Sequence, residues 1–449
     1  MPSIPSLGTT RLLPVTLYQA DMLEFSVNPE TTDAYHLFFT LQWGIRVKPS
    51  VSRRQLKRAF NQLVKRHDSL RLRFHHGAEG WGAEILDDHP TGLQETDLTQ
   101  ATKEDQDLFI ESLGQSPIKA HEGPCFQMHL IDCGTEGHAI ILSAHHVIID
   151  GYGLVILVED FLKMMFHMPL TGRGISHAEF AQDIQSRTQH RRDEKDAYWT
   201  KRLSPLPPDP IIGRKAKGLP AFTPPMMRTS IRLDGILTPD IMTGIKREQT
   251  SSEASVFPLL YAAFADALCE MSQQDDILIC SWAGRQEAHL REFVGCDTRM
   301  MQQVYRRVDR PLQQKAAQIS QSFFDAIEHL PSQFFAQNSP FVADLEAQDR
   351  TLWRFQFHNG TPSARLSKSP FSKVLLAGMT DGFSFGPLKI EKLTFPRACD
   401  TRFELTVLLN QTGEGQNATM IADSRAFEPS ELEWLQEKTR ENLRFSLLS

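Results

Sequence analysis

The sequence predicts an α/β fold, because segments with helical periodicity alternate with strand-like segments along the chain. In 52–66 the apolar residues recur at helical spacing behind Ser52, a candidate N-cap. The segment 138–144 is a continuous apolar run, which is typical of a buried strand. The other elements expected in the first 170 residues are strands at 69–74 and 124–132 and a helix at 153–166.

The second half of the chain repeats this order. We expect a helix at 255–271 despite Pro258, then strands at 275–284, 352–358 and 403–410, and a closing helix that begins at Pro429. Single cores stop growing at roughly 250–300 residues, so the 449 residues predict two lobes, at 1–175 and 176–449. The proline-rich segment 204–225 is interpreted as a surface connector within the second lobe.

Composition excludes several classes of protein. The net charge of -7 disfavours nucleic acid as a partner, because phosphate binding usually needs a concentrated basic field. The sequence shows no export signal and no membrane-spanning apolar run, which favours a cytoplasmic protein without a membrane partner. The six cysteines form no CxxC pair and are expected to be small buried residues, not zinc ligands or disulfides.

The segment most indicative of chemistry is HHVIIDG at 145–151. Adjacent residues at the end of a strand point to opposite sides, so one of His145 and His146 can face a cavity while the other packs inward. Asp150 is expected to hold the loop in shape, and Gly151 to allow the backbone angle of a bend. The pattern alone leaves three interpretations open: a general base, a metal ligand that lacks nearby partners, and a structural histidine.

HHxxxDG resembles the signature of the condensation-domain superfamily, which includes nonribosomal peptide synthetase condensation domains and related CoA-dependent acyltransferases. Further segments resemble the family in the same order along the chain: 17–36, 66–74, 122–131, 197–203, 255–285, 355–359 and 402–409. The chain is therefore identified as a member of this family. We expect it to be free-standing, since one condensation unit leaves no length for another domain.

The resemblance implies two chloramphenicol-acetyltransferase-like lobes that form a V-shaped pseudo-dimer, with the motif halfway along a central tunnel. It implies that His146 is the catalytic residue, supported by His145 and Gly151, and that Asp150 pairs with Arg285 across the lobe interface. The family usually has proline-phenylalanine-x-asparagine-threonine at 296–300. This chain has Cys-Asp-Thr-Arg-Met there. Its Asp297 and Arg299 either recognise a polar substrate or are simple loop charges, and we favour the second interpretation.

The expected activity is transfer of an acyl group from the phosphopantetheine thioester of an acyl or peptidyl carrier protein to an amine, which forms an amide. The acceptor is either a small amine or a second carrier-bound group. No cofactor or metal is expected, a CoA donor remains open, and a monomer is expected. His146 acts either as a base or by orienting the amine and stabilising the tetrahedral intermediate. The alternatives are an ester-forming transferase with an alcohol acceptor and a non-catalytic domain that recruits carrier proteins or tailoring enzymes.

Overall fold

The computed structural model describes residues 12–29, 31, 33–78, 80–172, 174–219, 230–252, 255–285, 287–336, 339–360, 369, 371, 383–395, 403–412 and 415–448. The helices are α1 (Leu17–Val27), α2 (Asp33–Phe38), α3 (Arg53–Arg66), α4 (Lys103–Gly114), α5 (Gly151–Met165), α6 (His177–Gln189), α7 (Arg192–Arg202), α8 (Pro239–Ser252), α9 (Val256–Ser272), α10 (Leu312–Glu328), α11 (Pro340–Ala347) and α12 (Pro429–Leu448). The strands are β1 (Leu13–Pro14), β2 (Thr40–Lys48), β3 (Leu72–Gly77), β4 (Gly80–Ile85), β5 (Leu93–Asp97), β6 (Phe126–Asp132), β7 (His138–His145), β8 (Ser230–Leu233), β9 (Asp276–Ala283), β10 (Arg299–Arg306), β11 (Phe355–Asn359), β12 (Phe383–Phe385), β13 (Leu388–Leu393), β14 (Leu405–Thr412) and β15 (Gly415–Asp423).

The chain forms two compact units whose boundaries differ from the expected division after residue 175. The first unit contains the described residues of 1–189, 285–297 and 382–396, and the second unit contains the other described residues. The late segment 382–396 belongs to the first unit because β13 pairs with β2 there. A boundary drawn along the sequence cannot show such a return of the chain.

The first unit is built on a sheet in the order β12-β13-β2-β7-β6-β5, with a second small sheet in the order β1-β4-β3. Strand β7 lies between β2 and β6 and is antiparallel to both. All eight of its residues are buried, as the apolar run predicted. Ile131 and Ile141 of this sheet share a buried cluster with Ile110 of α4. The motif therefore begins at the end of a fully enclosed strand.

The second unit contains a sheet in the order β10-β9-β11-β14-β15-β8. Strand β11 is parallel to both β9 and β14, and the other pairs are antiparallel. Helix α9 is largely buried, with Pro258 in its first turn, and contributes to the same apolar core as α12. These two lobes, each built on a mixed sheet with helices, confirm the α/β fold class.

Several local expectations differ from the structure. Strand β11, expected from residue 352, begins at Phe355. Strand β3 begins at Leu72 and not at residue 69, because Asp68–Arg71 form a turn of 3-10 helix. Helix α3 carries the expected buried apolar stripe, but within the described residues the Ser52 side chain makes no capping hydrogen bond.

The described part of the proline-rich segment is not a simple surface connector. Arg214 is 1% exposed, and its Nε lies 2.8 Å from Oε1 of the fully buried Glu404. Arg354 contacts the same carboxylate at 3.0 Å and reaches Asp209 at 2.6 Å. Paired charges of this kind can be buried because each neutralises the other. The segment is thus attached to the second unit, while residues 220–225 lie outside the described residues. No helix in the described ranges is long and apolar enough to cross a membrane.

Candidate active site at the end of strand β7

His145 is the histidine that packs inward. It is fully buried, and its Nδ1 accepts a hydrogen bond from the Val147 backbone N–H at 3.0 Å. Its Nε2 has no hydrogen-bond partner among the described residues. Burial lowers the pKa of His145 well below its usual value, and the neighbouring His146 lowers it further by a smaller amount. His145 is therefore neutral at physiological pH and supports the turn.

His146 faces the other way. Of the six residues from His145 to Asp150, all described, five are buried and His146 is half-buried. Its backbone N–H donates to the Phe39 carbonyl at 2.6 Å. The edge-on ring of Tyr18 lies 5.8 Å from the imidazole, and the Sγ of Cys296 lies 3.8 Å from Nδ1. The imidazole of His146 is thus packed beside an aromatic ring and a thiol, and the residue is half-buried.

Helix α1 fixes the turn that carries His146. The Gln19 amide donates to the Val147 carbonyl at 2.7 Å. Gln19 is itself held by Thr16, whose hydroxyl accepts from the Gln19 backbone at 3.1 Å and whose backbone donates to the Gln19 side chain at 2.8 Å. This capping box is visible in the sequence as Thr-x-x-Gln, but its reach to the motif loop was not predicted.

Asp150 gathers hydrogen bonds from three directions. As the N-cap of α5 it accepts from the Gly153 backbone at 2.6 Å, and it also accepts from the Asp297 backbone at 3.0 Å. The Arg285 guanidinium contacts both carboxylate oxygens at 2.9 Å, which is the expected pair. Both contacts use the single nitrogen Nη2 of Arg285. The capping role follows a known preference for Asp that the sequence interpretation overlooked.

Arg285 and Asp150 both belong to the first unit. The pair therefore forms within one unit, and the expectation that it joins the two lobes is wrong. Its Nη2 also donates to the Gly295 carbonyl at 2.7 Å, and its Nη1 donates to the Phe293 carbonyl. The guanidinium lies 5.2 Å from the centre of the Tyr152 ring. Arg285 therefore joins the segment 285–297 to the motif loop.

The glycine that the turn needs sterically is Gly153 and not Gly151. Gly151 is the first residue of α5, lies outside the left-handed region of backbone angles, and would place a Cβ with nothing within 4 Å. A Cβ on Gly153 would lie 3.0 Å from the Gly295 oxygen and 3.1 Å from its nitrogen. The expected role of Gly151 in the bend is therefore wrong, because the chain there already has helical geometry.

The first two residues of the departure from the family pattern, Cys296 and Asp297, contact His146 and Asp150 of the motif. Cys296 is fully buried, Asp297 is 2% exposed and Arg299 is 5% exposed. The interpretation of Asp297 and Arg299 as simple loop charges is wrong, because both are enclosed by protein. Of the six cysteines, five are buried thiols that form no disulfide among the described residues, and Cys399 lies outside those residues.

The chemistry that the site offers centres on His146. Within the described ranges, no three His, Cys, Asp or Glu side chains are grouped so that they could hold a metal ion. The half-buried His146 lies on a turn held by Gln19 and Asp150, and an imidazole can act as a proton donor or acceptor and as a hydrogen-bond donor.

Comparison with family models identifies the class of protein. The model of the condensation domain matches residues 10–307, which is more than half of the chain. The chain therefore belongs to the condensation domain family.

Among curated relatives, one of the plipastatin synthase proteins of Bacillus subtilis (strain 168) is 25% identical over 393 residues. The match covers 82% of this chain and 10% of that synthase, so the chain spans about a tenth of the relative's length. The first condensation domain of the calcium-dependent antibiotic synthetase, solved with a substrate analogue, has a TM-score of 0.66 at 15% identity and covers 97% of this chain and 96% of its own. The complex of the X-domain and OxyB from teicoplanin biosynthesis contains a chain that matches with a TM-score of 0.71 at 15% identity. The match covers 100% of this chain and 96% of that chain.

Proposed function

We propose that this chain transfers an acyl group from the phosphopantetheine thioester of a carrier protein to an amine and forms an amide. The observation that carries the proposal is the half-buried His146 on a turn fixed by Gln19, Asp150 and Arg285. Family membership supports the reaction type, since condensation domains are typically of the acyltransferase kind.

In the proposed reaction the amine attacks the thioester carbon and forms a tetrahedral intermediate. The carbon–sulfur bond then breaks, the pantetheine sulfur leaves, and the proton lost by the amine neutralises that thiolate. His146 contributes at the attacking amine or at the developing oxyanion. No metal is needed, because a thioester is already an activated acyl donor. A CoA thioester would react in the same way.

Two alternatives to the proposal remain: one has a different acceptor, and the other is a binding protein without catalytic activity. An ester-forming transferase would need His146 as a base, because an alcohol must lose its proton during attack. A recruitment domain would bind a carrier protein or a tailoring enzyme without chemistry. The fold alone is compatible with such a role, because a solved X-domain of similar fold is found in complex with OxyB.

The deciding experiment is intact-mass spectrometry of an acyl-loaded carrier protein incubated with the full chain and a panel of amines and alcohols. We expect loss of the acyl mass from the carrier and formation of an amide with the wild type. We expect a decrease of at least roughly 100-fold in rate with His146→Ala. The matched control is His76→Ala, because that histidine is about half exposed on β3 and lies outside the site.

Two other outcomes of this experiment would change the proposal. Ester products alone would replace the amine acceptor with an alcohol. Carrier binding without transfer to any acceptor would reject the enzymatic proposal in favour of recruitment.

A further inference from the structure

Helix α3 carries an exposed basic face. Its sequence has six basic residues and no acidic residue, although the whole chain has a net charge of -7. Two of the six are paired: Arg53 contacts Asp132 at 2.7 Å, and Arg66 contacts Asp160 at 2.7 Å. The other four are exposed and form no ion pair with any described residue. The basic face consists of these four residues, Arg54, Lys57, Arg58 and Lys65.

The charges of the basic face oppose the stability of the helix. Arg53 and Arg54 stand in the first turn, where positive charge opposes the helix dipole and where no acidic residue compensates it. Arg54 and Arg58 lie four positions apart, so their like charges repel on one side of the helix. Natural sequences break such local rules mainly at functional sites. A binding partner therefore explains these charges better than folding does.

The basic face is a row of charge along one side of α3. Arg54, Arg58 and Lys65 follow one another at offsets of 4 and 11, and 11 residues of helix span about 16 Å. The four basic side chains and the amide side chains of residues 61–62 line one shallow groove. The groove therefore offers cations along its length, with uncharged hydrogen-bonding groups between them.

The surroundings of the basic face distinguish among anionic partners. Among the described residues that line the groove none is aromatic, so the bases of a nucleic acid would find no ring to stack on. Leu56, Phe60 and Leu63 on the apolar side of α3 are buried within the protein, so the helix cannot insert into a lipid surface. The phosphates of a single nucleotide would occupy only part of the row. A protein surface with a matching row of carboxylates fits its whole length.

We propose that the basic face of α3 docks an acidic helix on the surface of the carrier protein. The inference rests on the proposed function, because the carrier is the macromolecule that the proposed reaction brings to this chain. Lys65 at the end of the row is followed by Arg66, which contacts Asp160. Asp160 is ten residues, or about 15 Å, along α5 from Asp150 of the motif. A carrier docked there would present its flexible phosphopantetheine arm from the same unit that holds His146.

The test compares two variants of the full chain that lose the same charge. The face variant combines Arg54→Gln, Lys57→Gln, Arg58→Gln and Lys65→Gln. The scattered control replaces four exposed basic residues elsewhere on the chain, by Arg73→Gln, Lys201→Gln, Arg307→Gln and Arg310→Gln. Because both variants lose four positive charges, a difference between them is due to the position of the charges and not to the net charge.

The face variant should fold, because the substitutions replace exposed side chains and relieve repulsion between like charges. Circular dichroism and urea unfolding check this. If the face variant does not fold, Arg58→Gln combined with Lys65→Gln takes its place.

Binding is measured by fluorescence anisotropy with a labelled helical peptide whose glutamates follow the spacing of the basic row. The control ligand has glutamines at the same positions. We expect the wild type and the scattered control to bind the glutamate peptide, and the face variant to bind it roughly 10–100-fold more weakly. The affinity of the wild type should decrease as salt is added. Equal affinity of all three proteins, no binding by any of them, or equal binding of the two peptides would overturn the proposal.

Transfer from the carrier protein is the second readout. We expect the face variant to raise the KM for the acyl-loaded carrier by roughly 10-fold at unchanged kcat, and to react with a carrier-free acyl pantetheine at the rate of the wild type. An equal loss of rate with both donors would overturn the docking role, because the carrier-free donor needs no docking surface.

Failure of this inference and failure of the proposed function have different signatures. If even the wild type transfers no acyl group, the proposed function fails, while the peptide titration still decides whether the basic face binds an acidic protein surface. Binding of free CoA or of a DNA duplex to the basic face more tightly than the glutamate peptide would overturn the inference and assign the face to phosphate ligands.

Discussion

The two adjacent histidines of the motif differ in burial and in the partners of their rings. His145 is enclosed, accepts the Val147 N–H and stays neutral because burial lowers its pKa. His146 leaves the strand on the opposite side and stays half-buried beside Tyr18 and Cys296. The difference in role arises from alternation at the end of β7.

Asp150 offers a residue-scale prediction about the loop. Asp150→Asn removes the charge that faces the buried Arg285 and should lower the free energy of unfolding by about 3–5 kcal/mol. Urea unfolding of the full chain measures this loss. The matched control is Asp183→Asn, whose partner Arg187 is at 2.8 Å but whose pair is partly exposed, so about 0–1 kcal/mol is expected. Full stability with abolished activity would instead give Asp150 a chemical role.

At the scale of elements, the motif loop is held by contacts from both sides. Helix α1 reaches it through Gln19, and the segment 285–297 reaches it through Arg285 and the backbone near Gly295. Helix α5 begins at the motif and uses Asp150 as its N-cap. The first turn of α5 and Gly295 therefore pack at backbone distance, and space for a side chain is lacking on that side.

Two glycines of α5 give a matched test of this close approach. In Gly153→Ala the new Cβ would lie 3.0 Å from the Gly295 oxygen, so we expect a destabilisation of about 1–3 kcal/mol. In Gly151→Ala the Cβ meets nothing within 4 Å, so stability should be unchanged or higher by up to about 1 kcal/mol. Thermal and urea unfolding of both variants measure the difference. Equal effects of the two substitutions would show that the backbones can separate without cost.

On the scale of the whole molecule, several buried histidines make stability depend on pH. Burial lowers the pKa of His177 to about 4, and burial also lowers the pKa of His145. Neither ring nitrogen of His177 has a hydrogen-bond partner within the described residues. A histidine with a lowered pKa in the folded state binds a proton more readily when unfolded. The contribution of these neutral histidines to the free energy of unfolding is therefore fully present above about pH 6.5, and it decreases as the pH falls below that value.

The expected size of this effect can be tested at His177. Between pH 7.5 and 5.0, its contribution to the free energy of unfolding should decrease by about 2 kcal/mol. His177→Phe places an apolar ring beside Phe180 and Phe293 and should remove that part of the acid sensitivity. Urea unfolding at the two pH values measures it, and His76→Ala serves as the exposed control. A wild type that is equally stable at both pH values would contradict the predicted linkage.

The sequence by itself determined the family, the α/β class and the position of the motif after a buried strand. It could do so because apolar periodicity and short motifs are local properties of the chain. It also indicated the Asp150–Arg285 pair, through the resemblance to the family. The proximity of Cys296 to His146 and the steric need for Gly153 were decided only by the tertiary structure. So were the return of 285–297 and 382–396 to the first unit and the burial of Arg214. These features join residues that lie up to hundreds of positions apart, and their contacts depend on how strands and helices pack in three dimensions.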